Sequence, residues 1–167
     1  MKNLHVMAGL LPALLAGPAV AAPAFDAPPA IEVWQLHPDA ALFAAQHALE
    51  ACRQAGYHTV AVSVVDRRHG EMVMLRDAAA PRITVEVARA KAYTANQFSA
   101  ATSSLTDFHD GPLAHRDQVF LDAGGVPIES GGTVYGAIGV AGAPTQPEDE
   151  ACARAGADAL AFELDMM

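Results

Sequence analysis

The chain has 167 residues, 52% of them apolar, with 10 Lys and Arg against 19 Asp and Glu and a formal net charge of −9. That length sets a single-domain scale, and the apolar fraction is ample for one core. So negative a balance argues against partners that require Lys/Arg patches, namely nucleic acid and anionic membrane surfaces.

The N-terminus reads as a removable leader. Lys2 supplies a positive start, residues 10–15 are mostly apolar, and Ala19-Val20-Ala21 resembles an A-x-A cleavage site. The segment is too short, and too interrupted by Pro12, Gly17 and Pro18, to span a bilayer, so no stable membrane insertion is expected. We expect a signal peptide over 1–21, cut near Ala21, an extended Pro/Ala-rich arm over 22–37, and one folded domain over 38–167 in a periplasmic or secreted protein. The competing reading is an uncleaved, membrane-anchoring N-terminus. No Cys lies at the junction to carry a lipid.

Residues 31–36 allow a short strand or a packed arm bearing Trp34, the chain's only Trp. The first helix is predicted after Pro38 with Asp39 as N-cap, and Leu42, Ala45, Leu49 and Cys52 form one apolar stripe. Gly56 supplies its stop. Residues 59–66 form an apolar run too continuous for a half-exposed strand, so burial on both faces is expected. The connection Arg67-Arg68-His69-Gly70 turns the chain into a return strand over 71–76. A second helix is predicted from about Arg82 to Ala101, and residues 106–116 read as a loop or a short helix. A second hairpin over 126–141 turns at Ser130-Gly131-Gly132. The last helix opens with a capping-box pattern, Thr145-x-x-Glu148, with Pro147 in its first turn. Helices that flank hairpins, rather than alternating with single strands, favour an α+β layout with an antiparallel sheet.

The second helix carries Lys91, and Lys2 is the chain's only other lysine. Val87, Lys91, Thr94 and Phe98 project from one side of that helix. A Lys among apolar neighbours can meet an acidic ligand or a buried carboxylate, or simply snorkel to solvent. Tyr93 falls on the opposite side. Gly136 to Gly139 lie inside a strand, where glycine permits close approach of backbone or ligand. Cys52 and Cys152 make an even pair suited to one disulfide in an oxidising compartment, or two small apolar core residues. There is no G-x-S-x-G elbow, phosphate loop, G-x-G-x-x-G or C-x-x-C-H, so nothing demands catalysis or covalent haem attachment. The His109-Asp110 and His115-x-Asp117 spacings match no standard zinc arrangement.

Four segments in register (Arg76-Asp77-Ala78-Ala79, Lys91-Ala92-Tyr93-Thr94-Ala95, Gly124-Gly125-Val126-Pro127-Ile128, and 136–143) resemble the GlcG/HbpS family. The resemblance implies a profilin-like antiparallel sheet flanked by helices in a single domain. It implies non-covalent haem, or a related tetrapyrrole, as ligand. The alternatives it carries are a haem-degrading enzyme, or an oligomeric accessory or scaffold subunit of a periplasmic oxidoreductase or sensor system. Arg76, Arg82, Lys91, Thr94, Gly125 and Pro127 become ligand-binding candidates, and His109 and His115 candidate iron ligands in the Gly/Pro-containing loop. Homo-oligomerisation is likewise expected. The chain departs from the pattern at Ala78, where Gly is usual, and at Arg82, where close relatives often carry His. Arg cannot ligate iron, but its planar fork suits a haem propionate.

Overall fold

The computed structural model describes residues 32–167; the predicted signal peptide, its cleavage site and most of the arm lie outside them. Within these limits the order is α1 (Pro38–Gln54), β1 (Ala61–Asp66), β2 (Glu71–Arg76), α2 (Arg82–Phe98), β3 (Gly125–Ser130), β4 (Thr133–Ala141) and α3 (Gln146–Asp165). Three short 3-10 turns occupy the α2–β3 connection. The four strands form one sheet in the order β2-β1-β4-β3, and every neighbouring pair is antiparallel. The expected α+β layout is therefore the observed one. Residues 32–36, the described part of the 31–36 segment that allowed a strand, carry no regular structure.

Strand alternation decides which helix goes where. Val60, Val62, Val64, Val126, Ile128, Ile138 and Val140 share one core with the buried faces of α1 and α3. Burying each such side chain stabilises the fold by about 1.5–3 kcal/mol relative to exposure. The intervening positions point the other way and, Val65 apart, those that meet α2 are small: Ala61 and Ala141 meet Ala88 of α2, and Ala137 meets Ala92 and Ala95. Gly139 completes this floor. A Cβ built there would lie 2.2 Å from the Ala88 carbonyl oxygen, so α2 rests directly on the sheet backbone. The predicted double burial of β1 follows from this, since Ala61 to Val65 are all buried.

The helix ends correct two expectations. The N-cap of α1 is His37, whose Nδ1 accepts from the Asp39 N–H at 3.3 Å, and Asp39 instead sits in the first turn, where its charge favours the helix dipole. α2 stops at Phe98, three residues short of the predicted end, because Ser99 takes the left-handed conformation (φ 48°) and closes the helix. Leu42 departs from its predicted stripe and is exposed. The buried residues of α1 are Ala41, Ala44, Ala45, Ala48, Leu49 and Cys52, placing the stripe's centre one residue from the predicted one. In α3, Thr145 Oγ1 donates to Glu148 Oε2 at 2.8 Å, tying the two members of the predicted capping box side chain to side chain. Cys52 of α1 and Cys152 of α3 form a disulfide, with Cα atoms 5.4 Å apart, that joins the two helices across the core.

Candidate functional site

The outer side of α2 and the β1–β2 hairpin enclose a cavity of about 410 Å³. Its walls include Val65, His69, Glu71, Arg89, Ala90 and Tyr93. A neighbouring cavity of about 400 Å³ is lined by Arg76, Arg82, Val85, Glu86 and Arg89. Glu86 and Arg89 line both, so the two spaces meet along the helix. Together they make a trough with an aromatic end and an arginine-rich end, in the size range of small-ligand sites. Three of the chain's eight arginines gather at that second cavity, in a protein of net charge −9.

Local sequence explains the aromatic end. Asp66 Oδ1 accepts the Arg68 and Gly70 N–H groups, both at 2.8 Å, and so folds the hairpin connection. His69 is held there at φ 68°, a left-handed conformation unfavourable for a residue with a side chain. Asn96 of α2 secures it: its Nδ2 donates to the Asp66 carbonyl at 2.9 Å and approaches His69 Nδ1 at 2.5 Å. Because the carbonyl fixes which amide atom is nitrogen, His69 Nδ1 accepts and Nε2 carries the ring proton. The His69 ring meets Tyr93 edge-on, with centroids 5.4 Å apart.

At the junction of the cavities, Arg89 grips Glu71 with both arms, Nε to Oε2 at 2.6 Å and Nη2 to Oε1 at 3.0 Å. The hydrogen bonds to Glu71 raise the Arg89 pKa above its usual value. Arg76 Nη1 donates to the Ala80 carbonyl at 2.6 Å, while Arg82 has no ion pair among the described residues.

The other predicted site residues lie elsewhere. Of the partners the sequence allowed Lys91, the structure supplies a buried carboxylate: Nζ donates to Asp149 Oδ2 at 2.7 Å, with the lysine 2% exposed. Gly124 and Gly125 leave room for it. A Cβ on Gly124 would lie 2.6 Å from Lys91 Nζ, and one on Gly125 would lie 2.3 Å from the Lys91 carbonyl oxygen. Burial pushes the Asp149 carboxyl up, against the opposing pull of Lys91 and of the Ala143 N–H at 2.8 Å. Its neighbour Glu150 accepts from Ser103 Oγ at 2.7 Å and Arg154 Nη2 at 2.9 Å, tying the turn after α2 to the start of α3. Thr94 is buried, donating to the Ala90 carbonyl and accepting the Phe120 N–H, each at 2.8 Å. Pro127 lines a separate, smaller cavity of about 220 Å³ beside Arg154 and Asp158. His109 and His115 are exposed and line neither part of the trough. Among the described residues, no group of three or more His, Cys, Asp or Glu is arranged to hold a metal ion, and no helix is long and apolar enough to cross a membrane.

No sequence motif singles out His69, Asn96, Glu71 or Arg89 as a site residue, and helical spacing places Tyr93 on the side of α2 away from Lys91. The available signal was the i, i+4 spacing of Arg89 and Tyr93 on the side of α2 opposite Lys91.

Fold and trough together define an α+β domain with ligand-sized cavities along the outer side of one helix. The family model described as "Haem degrading protein HbpS-like" matches residues 36–158, and the chain belongs to that family. It is similar to Streptomyces reticuli HbpS, solved as a double mutant, at 37% identity and TM-score 0.75, covering 86% of this chain and 99% of that one. A PduOC:haem complex is 26% identical with TM-score 0.69, covering 75% and 95% respectively. Klebsiella pneumoniae ORFY, 21% identical over 80% of this chain and 96% of that one with TM-score 0.73, shares the fold. A comparison with curated proteins finds no match.

Proposed function

We propose that the chain is an exported protein that binds haem, or a closely related tetrapyrrole, non-covalently in the trough along α2. The observation carrying this reading is the trough itself: an apolar and aromatic end joined to an arginine-rich end, as a flat apolar acid requires. Val65, Ala90 and Val85 offer apolar wall, and Arg82 and Arg76 offer donors for propionates. Tyr93 offers a phenolic oxygen to iron, in a cavity that Glu71 and Glu86 also line. His69, with Nδ1 occupied by Asn96, offers an N–H rather than a lone pair. Bound there, haem would supply iron-centred redox chemistry; the protein's part is to bind, orient and shield it. The family description and the PduOC:haem complex support the ligand class. The leader-like N-terminus and the Cys52–Cys152 disulfide support export to an oxidising compartment.

Titration of the protein with hemin, followed in the visible spectrum, tests the reading. Saturable binding at micromolar concentration is expected. Arg82→Ala and Arg76→Ala should each weaken it about two- to fivefold, the scale of an exposed ion pair, and Tyr93→Phe should alter the spectrum of the bound form. Absence of saturable binding removes the proposal. Recovery of intact haem after incubation with a reductant distinguishes a binder from a haem-degrading enzyme.

A further inference from the structure

We infer that the Arg89–Glu71 pair is a specificity latch: Arg89 releases Glu71 to grip a carboxylate of the incoming ligand, so the site selects acidic tetrapyrroles over their esters. This inference rests on the trough being the ligand site.

Arg89 is the cationic side chain that lines both cavities, and it does so where they meet. Both arms of its fork are committed to Glu71. The two halves of the pair differ in freedom. Glu71 is anchored from beneath, since Ser63 Oγ, on a fully buried residue of β1, donates to its Oε2 at 3.3 Å. The Arg89 side chain is about half exposed and makes no other ion pair among the described residues. The arginine is therefore the mobile half and the glutamate the fixed one. Glu86, one turn before Arg89, also lines both cavities and sets a second carboxylate beside the pair. A carboxylate entering the junction offers Arg89 the same bidentate geometry that Glu71 does, so exchange conserves both hydrogen bonds. A neutral ester offers no such exchange and leaves Arg89 on Glu71. Ligand binding thus competes with an internal carboxylate, and its apparent affinity is reduced by the fraction of protein in which Arg89 stays latched.

The test compares hemin with hemin dimethyl ester on the wild type, Glu71→Gln, Arg89→Gln and Arg89→Lys, each checked for an unchanged circular dichroism spectrum. Glu71→Gln should bind hemin about two- to fivefold more tightly, the scale of an exposed ion pair, and the ester no differently. Arg89→Gln should narrow the preference for hemin over ester to what Arg76 and Arg82 sustain, an undiminished preference overturning the latch, and Arg89→Lys should restore it only in part, since a point charge cannot reproduce the fork. Unchanged or weaker hemin binding by Glu71→Gln, with wild type binding normally, overturns the latch and leaves the trough in place. An equal gain for the ester also overturns it, by showing that Glu71 only obstructs. If wild type binds neither compound, both the latch and the site fall together.

Discussion

Replacing Lys91 with Met tests whether the ammonium serves the fold or a ligand. Methionine keeps most of the aliphatic stem, so the change is chiefly loss of the charge. Asp149, only 4% exposed, would then keep a backbone hydrogen bond from Ala143 but lose its cation. Breaking a buried pair by removing one partner costs about 3–5 kcal/mol. With an unfolding entropy of about 2.1 cal/mol/K per residue over roughly 135 residues, each kcal/mol shifts the midpoint by about 3.5 °C. Lys91→Met should therefore lower Tm by about 10–18 °C in thermal unfolding with the disulfide intact. Lys91→Met/Asp149→Asn should recover much of that loss, because no ionised carboxylate is then stranded, and the cycle should show coupling above about 1 kcal/mol. Well below its melting point, Lys91→Met should bind hemin as wild type does. A Tm within about 2 °C of wild type, with reduced hemin affinity, would refute this reasoning and return Lys91 to the ligand.

Removing the Cys52–Cys152 bridge, which spans a separation of 100 residues, should destabilise the fold by about 2–5 kcal/mol. Urea unfolding with and without reductant measures this, and identical midpoints would show that the bridge contributes nothing. Tyr57 Oη donates to Glu148 Oε1 at 2.6 Å, and that bond holds the Glu148 carboxyl below its usual value and the Tyr57 hydroxyl above its own. The pair's contribution is complete above the ordinary glutamate range and fades as pH falls through the lowered value. At the alkaline end it is complete below the ordinary tyrosine value near 10 and is lost as the raised hydroxyl ionises. Tyr57→Phe should move the Glu148 titration upward in carboxyl NMR; an unmoved titration would contradict the assignment.

Local features were the legible ones. Valine alternation in β1, paired glycines in the β3–β4 turn and prolines at helix starts are all short-range signals, and each placed its element within a few residues. Gly139 was readable as a point of close approach, although only the structure shows that α2 backbone, not ligand, is what approaches. Asp39 misled as a cap because a histidine nitrogen one step before Pro38 accepts the same class of bond. The contacts that build the interior and the trough were not legible. Lys91 finds Asp149 58 residues later, and His69 finds Asn96 27 residues later. Such pairings follow from the register of sheet and helices, which no local spacing encodes. The family resemblance supplied a ligand class and pointed to Arg76 and Arg82, which line the outer trough, but also to Lys91 and Thr94, which the structure buries on the inner side of α2.

The floor of hydrogens and methyls beneath α2 has a lasting consequence for how this protein can change. Any enlargement at Gly139 or Gly125 drives a carbon into main-chain atoms, so the helix has essentially one resting height and one azimuth. Positions 82, 86, 89 and 93 are then displayed from a rigid rail, held chiefly by the seam beneath it and secondarily by the contacts of Arg89 with Glu71 and of Tyr93 with His69. On the proposed function, guest preference can drift by substitution along that outward row while the seam below stays untouched, separating what must be kept from what is free to vary.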